Sequence, residues 1–227
     1  MKLSNDTQAT LKNFAAINSN LVVSQGNTIR TISEAKNILA RATVSEQFDT
    51  SFGVYDLNEF LGVMSMFDDP DVVINDDAAF ATVKQDRRSV KYFFSDPSIL
   101  TAPAKDIELP TTDVTFNLSQ DDMNSIRKAA STLGVTDLVV TAEEGGTGLT
   151  LLVTDVKDPT SNSFNIELSE CTRPSEPFKF VFNIANFKFV NGDYHVAISS
   201  KLISHFKNTS TPVEYWVALE KNSTFGG

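Results

Sequence analysis

A short segment occurs twice in the chain, and this repeat constrains the fold more than any other feature. Residues 3–17 read LSNDTQATLKNFAAI, and residues 118–132 read LSQDDMNSIRKAAST. At an offset of 115 residues (118 minus 3), leucine, serine, aspartate and alanine recur at positions 3/118, 4/119, 6/121 and 15/130. The repeat therefore predicts two copies of one domain, each opening on the same element.

Both copies predict a helix that begins after a serine. Ser4 and Ser119 are typical N-cap residues, and Asp122, three positions after Ser119, gives a capping-box pattern. Gly134 is typical of the end of the second helix. Residues at helical spacing follow each serine. They are Leu11, Phe14, Ala15 and Asn18 in the first copy and Met123, Ile126, Ala130 and Leu133 in the second.

Each predicted helix is followed by runs typical of strands and by a second predicted helix. The second helices are residues 55–67, which end before Pro70, and residues 183–192, which end at Gly192. Alternating apolar runs around them predict antiparallel strands. The sequence thus predicts an α+β fold with two similar domains, residues 1–96 and 114–227, of two helices each. Residues 97–113, with three prolines, predict an extended connector.

Composition indicates the cellular compartment of the protein and the classes of partner that it can bind. The formal net charge is −10 and 41% of the residues are hydrophobic, which is typical of a globular protein that repels nucleic acid and anionic membranes on average. The single cysteine, Cys171, excludes an intramolecular disulfide. No apolar signal segment or membrane span is evident, so we predict a soluble intracellular protein with no membrane partner.

No motif predicts catalysis, a metal or a cofactor. His195 and His205 are ten residues apart and could bind a metal ion together. This is the less favoured interpretation, because histidines in strands more often pack against neighbours or face solvent. The carboxylate pairs, such as Glu143 with Glu144, stand in turns beside glycine or proline. The glycine-rich run that follows lacks the lysine of a phosphate-binding loop.

Cationic residues are the more informative candidates. Those on or just before the predicted helices are Lys2, Lys12, Arg127, Lys128 and Lys188. Lys12 and Arg127 occupy the duplicated position, each directly after an apolar residue of its helix. Each is either a solvated surface charge or a phosphate contact, and the duplication favours the second interpretation. A further basic cluster, residues 84–91, has the same two interpretations.

Four blocks together resemble the sliding clamps of T-even-type bacteriophages. They are MKLSNDTQATLKNFAAIN, YDLNEFLGVMS, FNIANFKFVNGDYHV and VEYWVALE, and their order runs nearly the length of the chain. The second block departs from a cationic pattern, because it carries Asp56 and Glu59 and no lysine or arginine.

The resemblance implies a homotrimeric ring with antiparallel sheets outside and helices inside. Duplex DNA would pass through it without sequence specificity, facing the five cations above. It also implies partners in a clamp-loader ATPase, the replicative DNA polymerase and late transcription factors. The ring would act in the cytoplasm of the infected bacterial host and catalyse no reaction.

The resemblance further implies subunit contacts between sheet edges and a pocket for partner peptides. We assign Phe93, Phe94 and Phe164 to the subunit contacts, with ordinary core packing as the alternative for each. We assign Ile99, Leu100, Ile107 and Tyr215 to the peptide pocket, with a connector packed on its own domain as the alternative. The alternative for the whole protein is an acidic, β-rich structural or interaction protein of a phage that forms no ring.

Overall fold

The computed structural model describes residues 1–142 and 146–226, so the predicted turn carboxylates Glu143 and Glu144 lie outside the described residues. The chain divides into two compact units, Met1–Asp106 and Ile107–Gly227, here called unit 1 and unit 2. The division falls within the predicted connector. None of the helices in the described part of the chain is long and apolar enough to cross a membrane.

Unit 1, which is described throughout, combines two α-helices with two antiparallel sheets. Its helices are α1 (Asn5–Ile17) and α2 (Leu57–Met64). Its strands are β1 (Leu21–Val23), β2 (Gly26–Ile32), β3 (Ile38–Phe48), β4 (Phe52–Val54), β5 (Asp71–Ile74), β6 (Phe80–Gln85) and β7 (Arg88–Phe93). The first sheet has the order β3-β2-β1-β4 and the second the order β5-β6-β7. A 3₁₀ turn, Pro97–Ile99, follows the last strand.

Helix α1 covers one face of the first sheet of unit 1, and α2 packs against α1 and against β7 of the second sheet. Phe14 of α1 and Leu57 of α2 are completely buried, and α1 packs against both β2 and β3. The start of α1 is fixed by Ser4, whose Oγ accepts a hydrogen bond from the backbone N–H of Thr7 at 3.2 Å. Glu46 of β3 adds a second anchor, because its carboxylate accepts hydrogen bonds from Ser4 N–H and the Thr7 hydroxyl.

Unit 2 repeats this plan with one α-helix among its described residues. This helix is α3 (Gln120–Leu133). The strands are β8 (Val114–Leu118), β9 (Asp137–Ala142), β10 (Leu149–Thr154), β11 (Phe164–Leu168), β12 (Cys171–Thr172), β13 (Phe178–Asn183), β14 (Tyr194–Ser199), β15 (Ile203–Asn208), β16 (Val213–Ala218) and β17 (Thr224–Phe225). They pair in the orders β12-β8-β14-β15-β16 and β11-β10-β9-β13-β17, and α3 packs over β10 and β11.

The duplicated helix has the boundaries that the repeat predicts. α1 begins at Asn5 and α3 at Gln120, which is the offset of 115 found in the sequence (120 minus 5). Ser119 caps α3 by accepting from Asp122 N–H at 3.0 Å and donating to the Asp122 carboxylate at 2.6 Å. Gly134 ends α3 with a φ of 68°, the left-handed conformation that favours glycine.

The predicted fourth helix, residues 183–192, is wrong. Only a single 3₁₀ turn forms, Ile184–Asn186, and the chain then runs on without helix. Phe187 and Phe189 are both buried and their rings stack at 5.3 Å. Two residues on one face at a spacing of two fit an extended chain and not an α-helix. Lys188, between them, is therefore exposed but does not lie on a helix.

Candidate nucleic-acid interface

The exposed faces of α1 and α3 share one chemical character. Each helix has acidic residues only in its first turn, Asp6 in α1 and Asp121 with Asp122 in α3. Beyond that turn the exposed side chains are small, uncharged or cationic. They are Ala9, Lys12 and Ala16 in α1 and Asn124, Ser125, Lys128, Ser131 and Thr132 in α3. In a chain of net charge −10, these are surfaces that a phosphate backbone can approach without repulsion.

The exposed face of α2 is acidic, as the sequence indicates. Asn58, Glu59 and Gly62 are exposed, and Glu59 is the only one of the three with a charge. Asp56 caps the helix, with its Oδ1 accepting from Asn58 N–H at 2.9 Å and from Glu59 N–H at 3.2 Å. The carboxylate of Asp56 thus serves the helix N-terminus, and α2 offers no cation to a phosphate.

Lys2 is exposed but paired. Its Nζ donates a hydrogen bond to the Asp69 carboxylate, and this bond raises the pKa of Lys2 above its ordinary value. A phosphate would have to compete with Asp69 for the same ammonium group.

Arg127 differs from Lys12 despite the duplicated position. Lys12 is exposed, whereas the guanidinium of Arg127 is half-buried and its Nη2 donates to the carbonyl oxygen of Phe187 at 2.7 Å. Burial lowers the pKa of Arg127. The duplicated position therefore does not determine where the two side chains end, because the arginine reaches across to the segment after the 3₁₀ turn.

Tyr194 and Tyr215 form hydrogen bonds with Val190, in the same segment after the 3₁₀ turn. The Tyr194 hydroxyl donates to Val190 O at 2.6 Å, and Val190 N–H donates to the Tyr215 hydroxyl at 3.1 Å. Burial raises the pKa of Tyr194 to about 12 and also raises that of Tyr215. Tyr215 has no exposed surface. Its assignment to a partner pocket is wrong, because its ring lies in the core of unit 2.

The predicted subunit-contact residues occupy two sheet edges. Phe93 is 65% exposed on β7, and the Lys91 ammonium lies 3.6 Å from the ring centre of Phe80 and 4.8 Å from that of Phe93. Phe94, by contrast, stacks on Phe52 with ring centres 4.4 Å apart and is half-buried in unit 1. Among the described strands, β7 is outermost in its sheet and pairs only with β6.

Phe164 stands at the other edge, on β11. This strand is outermost in its sheet among the described strands. Phe164 lines an open groove of about 400 Å³ beside α3. The other lining residues are Ser125, Lys128, Ala129, Thr132, Leu133 and Ser163. The groove therefore joins a sheet edge to the exposed face of α3.

The connector residues have different environments. Leu100 is buried, and its Cδ1 lies 2.7 Å from where a Cβ on Gly53 would stand. It packs on unit 1, so its assignment to a partner pocket is wrong. Ile99 is 71% exposed and Ile107 is half-exposed. The sequence does not predict the role of Asp106, which contacts Arg30 and Arg41. A contact between a connector and a strand leaves no periodic pattern in the sequence.

Solved structures define the class of fold. The chain superposes on the A. fulgidus PCNA solved with the C-terminal region of FEN-1, with a TM-score of 0.70, 13% identity and 96% of each chain covered. It superposes on the Helicobacter pylori beta clamp bound to a DNA ligase peptide with a TM-score of 0.68 and 13% identity. That match covers 98% of this chain and 66% of that clamp. The fold is that of DNA sliding clamps.

Sequence comparison identifies the family within that class. Residues 4–100 match the family of DNA polymerase processivity factors, and residues 115–221 match the gp45 sliding clamp, C terminal family. The chain is 33% identical to the sliding clamp of Vibrio phage KVP40, covering 97% of this chain and 99% of that one. It is 32% identical to the sliding clamp of Escherichia phage RB69, covering 99% of each. The chain belongs to the phage sliding clamps, the processivity factors of DNA polymerase.

Proposed function

We propose that the protein forms a homotrimeric ring that encircles duplex DNA and tethers the replicative polymerase of a phage. Kinship with phage sliding clamps along nearly the whole chain is the observation that carries the proposal. The exposed faces of α1 and α3, free of carboxylates beyond their first turns, support it because they suit a passage for DNA.

Contacts with DNA would come from exposed cations. Lys12, Lys128 and Lys188 are exposed, and we assign them to phosphates. Contacts to phosphates carry no sequence preference, so the ring would slide. We give Arg127 a positioning role, because its bond to Phe187 O holds the segment that presents Lys188.

Ring closure would pair β7 of one subunit with β11 of the next. The opposite charges of these edges support this pairing, because β7 carries Arg88 and Lys91 whereas β11 carries Glu167. Phe93 would pack at the contact, and the groove lined by Phe164 would receive apolar side chains of the neighbour. A heterologous contact of this kind closes into a ring when the rotation per subunit allows it.

The remaining roles follow from the family. A clamp-loader ATPase would open and close the ring, and late transcription factors would bind it in the cytoplasm of the infected host. The clamp itself would catalyse no reaction. Peptides of the polymerase would bind beside the connector, where Ile99 is exposed and Ile107 is half-exposed, with roughly micromolar affinity as suits a tether that exchanges partners.

Light scattering of the purified chain tests the assembly. We expect a mass three times that of the subunit, or a concentration-dependent exchange between monomer and trimer. Primer extension by the phage polymerase with loader and ATP should then give longer products when the clamp is added. A strictly monomeric chain that leaves product length unchanged would favour the alternative, a phage interaction protein that forms no ring.

A further inference from the structure

The chain contains a single asparagine–glycine pair, Asn191–Gly192, in the segment that leads from the 3₁₀ turn of unit 2 into β14. Asn191 is exposed to water. An asparagine before glycine is chemically labile, because glycine has no Cβ and its backbone nitrogen approaches the preceding side chain with little hindrance. The pair is therefore a candidate site of chemical modification.

The fold requires the glycine of this pair. Gly192 has a φ of 139°, which residues with a Cβ rarely adopt, and a Cβ there would stand 2.5 Å from Asn208 Nδ2. Asn208 is buried, and its Oδ1 accepts from Ser210 N–H and Thr211 N–H at 2.9 Å each. Since Asn208 is fixed by these bonds, it leaves no room for a larger residue, and the labile pair is a consequence of the local backbone.

Gln120 engages the nitrogen on which the modification depends. Gly192 N–H donates a hydrogen bond to Gln120 Oε1. Gln120 is itself held from two sides, because its backbone N–H donates to Asp193 Oδ1 at 2.7 Å and its Nε2 donates to Asn124 Oδ1 at 2.9 Å. The Gly192 nitrogen must leave this acceptor before it can reach the side chain of Asn191.

We propose that Asn191 is a deamidation site whose rate Gln120 restrains. A base from solvent takes the proton of Gly192 N, and this nitrogen bonds to Asn191 Cγ. The Cγ–NH₂ bond breaks, and ammonia leaves with a proton from water. A second water opens the cyclic imide at either of its carbonyl carbons, which gives aspartate or isoaspartate. The net reaction exchanges an amide and water for a carboxyl group and ammonia, and it needs no oxidant or reductant.

Deamidation would place a negative charge on the segment that presents Lys188. Lys188 is exposed three residues before Asn191, and a carboxylate there lowers the local attraction for phosphates. This consequence rests on the proposed function, in which Lys188 contacts DNA. The modification itself does not, because Asn191, Gly192 and Gln120 all belong to unit 2 and a monomeric chain would retain the site.

Mass spectrometry of the full-length clamp, incubated at mildly alkaline pH and then digested with trypsin, tests the proposal. Cleavage after Lys188 and Lys201 gives a peptide of residues 189–201, in which Asn191 is the only side-chain amide. Gln120→Ala should speed deamidation by about three- to tenfold, because the nitrogen loses its acceptor. Gln120→Glu keeps an acceptor oxygen and should remain within about twofold of the parent.

The parent chain unfolded in guanidinium chloride gives a second comparison that does not depend on any variant folding. It should deamidate at Asn191 faster than the native clamp, because unfolding also breaks the bond to Gln120. Equal rates in native and unfolded parent would overturn the proposal, as would equal rates in the parent and Gln120→Ala. A rate in Gln120→Glu that matches Gln120→Ala would also overturn it, since the acceptor would then have no role.

Primer extension tests the consequence for DNA separately. Asn191→Asp should lower the yield of long, clamp-dependent products by about two- to fivefold at low salt. Asn222→Asp, the same change at another exposed asparagine, is the matched control. Equal yields from Asn191→Asp and the parent would overturn the effect on DNA, whereas a parent that stimulates no extension would contradict the proposed ring and not the deamidation.

Discussion

At the scale of the residue, one hydrogen bond separates two positions that the repeat makes equivalent. Lys12 and Arg127 both follow an apolar helix residue, yet only Arg127 donates to a backbone carbonyl, that of Phe187. Helical periodicity predicts from which side of a helix a side chain projects. It does not predict where a long side chain ends, because an arginine can bury its stem and bend its guanidinium toward a neighbouring segment.

Charge-reversal variants distinguish the positioning role of Arg127 from the proposed phosphate contact of Lys12. We expect Arg127→Glu to lower the free energy of unfolding by about 1–3 kcal/mol, because Phe187 O loses its donor and a carboxylate is half-buried in its place. Lys12→Glu, at an exposed position, should change it by less than about 0.5 kcal/mol. Urea denaturation followed by circular dichroism measures both. Equal stability of the two variants would contradict the positioning role of Arg127.

The same exposed lysine should govern DNA binding. Lys12→Glu places an acidic group on the face of α1 that otherwise carries none beyond Asp6. We expect shorter products in clamp-dependent primer extension, with a deficit that grows as salt is lowered because repulsion is then less screened. Lys36→Glu, an exposed charge reversal in the turn between β2 and β3, is the matched control. A deficit of equal size in the control would remove Lys12 from the DNA-facing set.

At the scale of the element, side chains distant in sequence fix where helices and connectors lie. Glu46 joins β3 to the start of α1 through Ser4 N–H and the Thr7 hydroxyl. Gly53 of β4 allows close approach of Ser95 and Leu100, which anchors the beginning of the connector. The sequence predicted Ser4 as a cap from local pattern, but it gave no signal for Glu46 or Gly53, whose partners lie about 40 residues away.

Glu46 should make stability depend on pH. Burial raises its pKa, but the hydrogen bonds from Ser4 and Thr7 outweigh burial, and the pKa of Glu46 lies below its ordinary value of 4.5. A pKa lowered by folding stabilises the native state above 4.5, and this stability is lost as the pH falls through the native pKa. Glu46→Gln should therefore be less stable than the parent at pH 7, with a difference that shrinks below pH 4.5. A difference that stays constant down to pH 3 would contradict this account.

Two glycines provide opposite tests of packing. A Cβ at position 53 would stand 2.6 Å from Ser95 O and 2.7 Å from Leu100 Cδ1, so Gly53→Ala should destabilise by about 1–3 kcal/mol. A Cβ at position 62, within α2, meets no atom within 4 Å, so Gly62→Ala should stabilise by about 0.5–1 kcal/mol. Thermal melting of both variants measures the pair. If both variants were destabilised, the close contacts around Gly53 would not explain the loss of stability in Gly53→Ala.

At the scale of the whole molecule, the repeat was the strongest predictor. It predicted two similar α+β domains and both capped helices, and alternating apolar runs predicted antiparallel strands, because each of these rests on local periodicity and turn residues. The fourth helix failed because Phe187 and Phe189 both turn into the core. β12 and β17, of two residues each, are too short for a periodic signal, because so short a pairing depends on the strand beside it.

Charge exchange across the proposed subunit contact tests the assembly at the level of residues. Lys91→Glu and Glu167→Lys should each weaken the trimer, because each places like charges across β7 and β11. Combining the two should restore part of the lost affinity. Analytical ultracentrifugation of the parent, the two single variants and the double variant measures the coupling free energy between Lys91 and Glu167. Losses that simply add in the double variant would place the two residues in separate environments.

In the proposed ring, the link between clamp and DNA is topological. Clamp loaded by the phage loader with ATP onto a nicked circular plasmid should remain bound through gel filtration in high salt, where contacts to phosphates are lost. Cutting the plasmid once after loading should release the clamp from its ends. Retention that is equal on circular and linear DNA, or that disappears from both as salt rises, would contradict a ring that encircles the duplex.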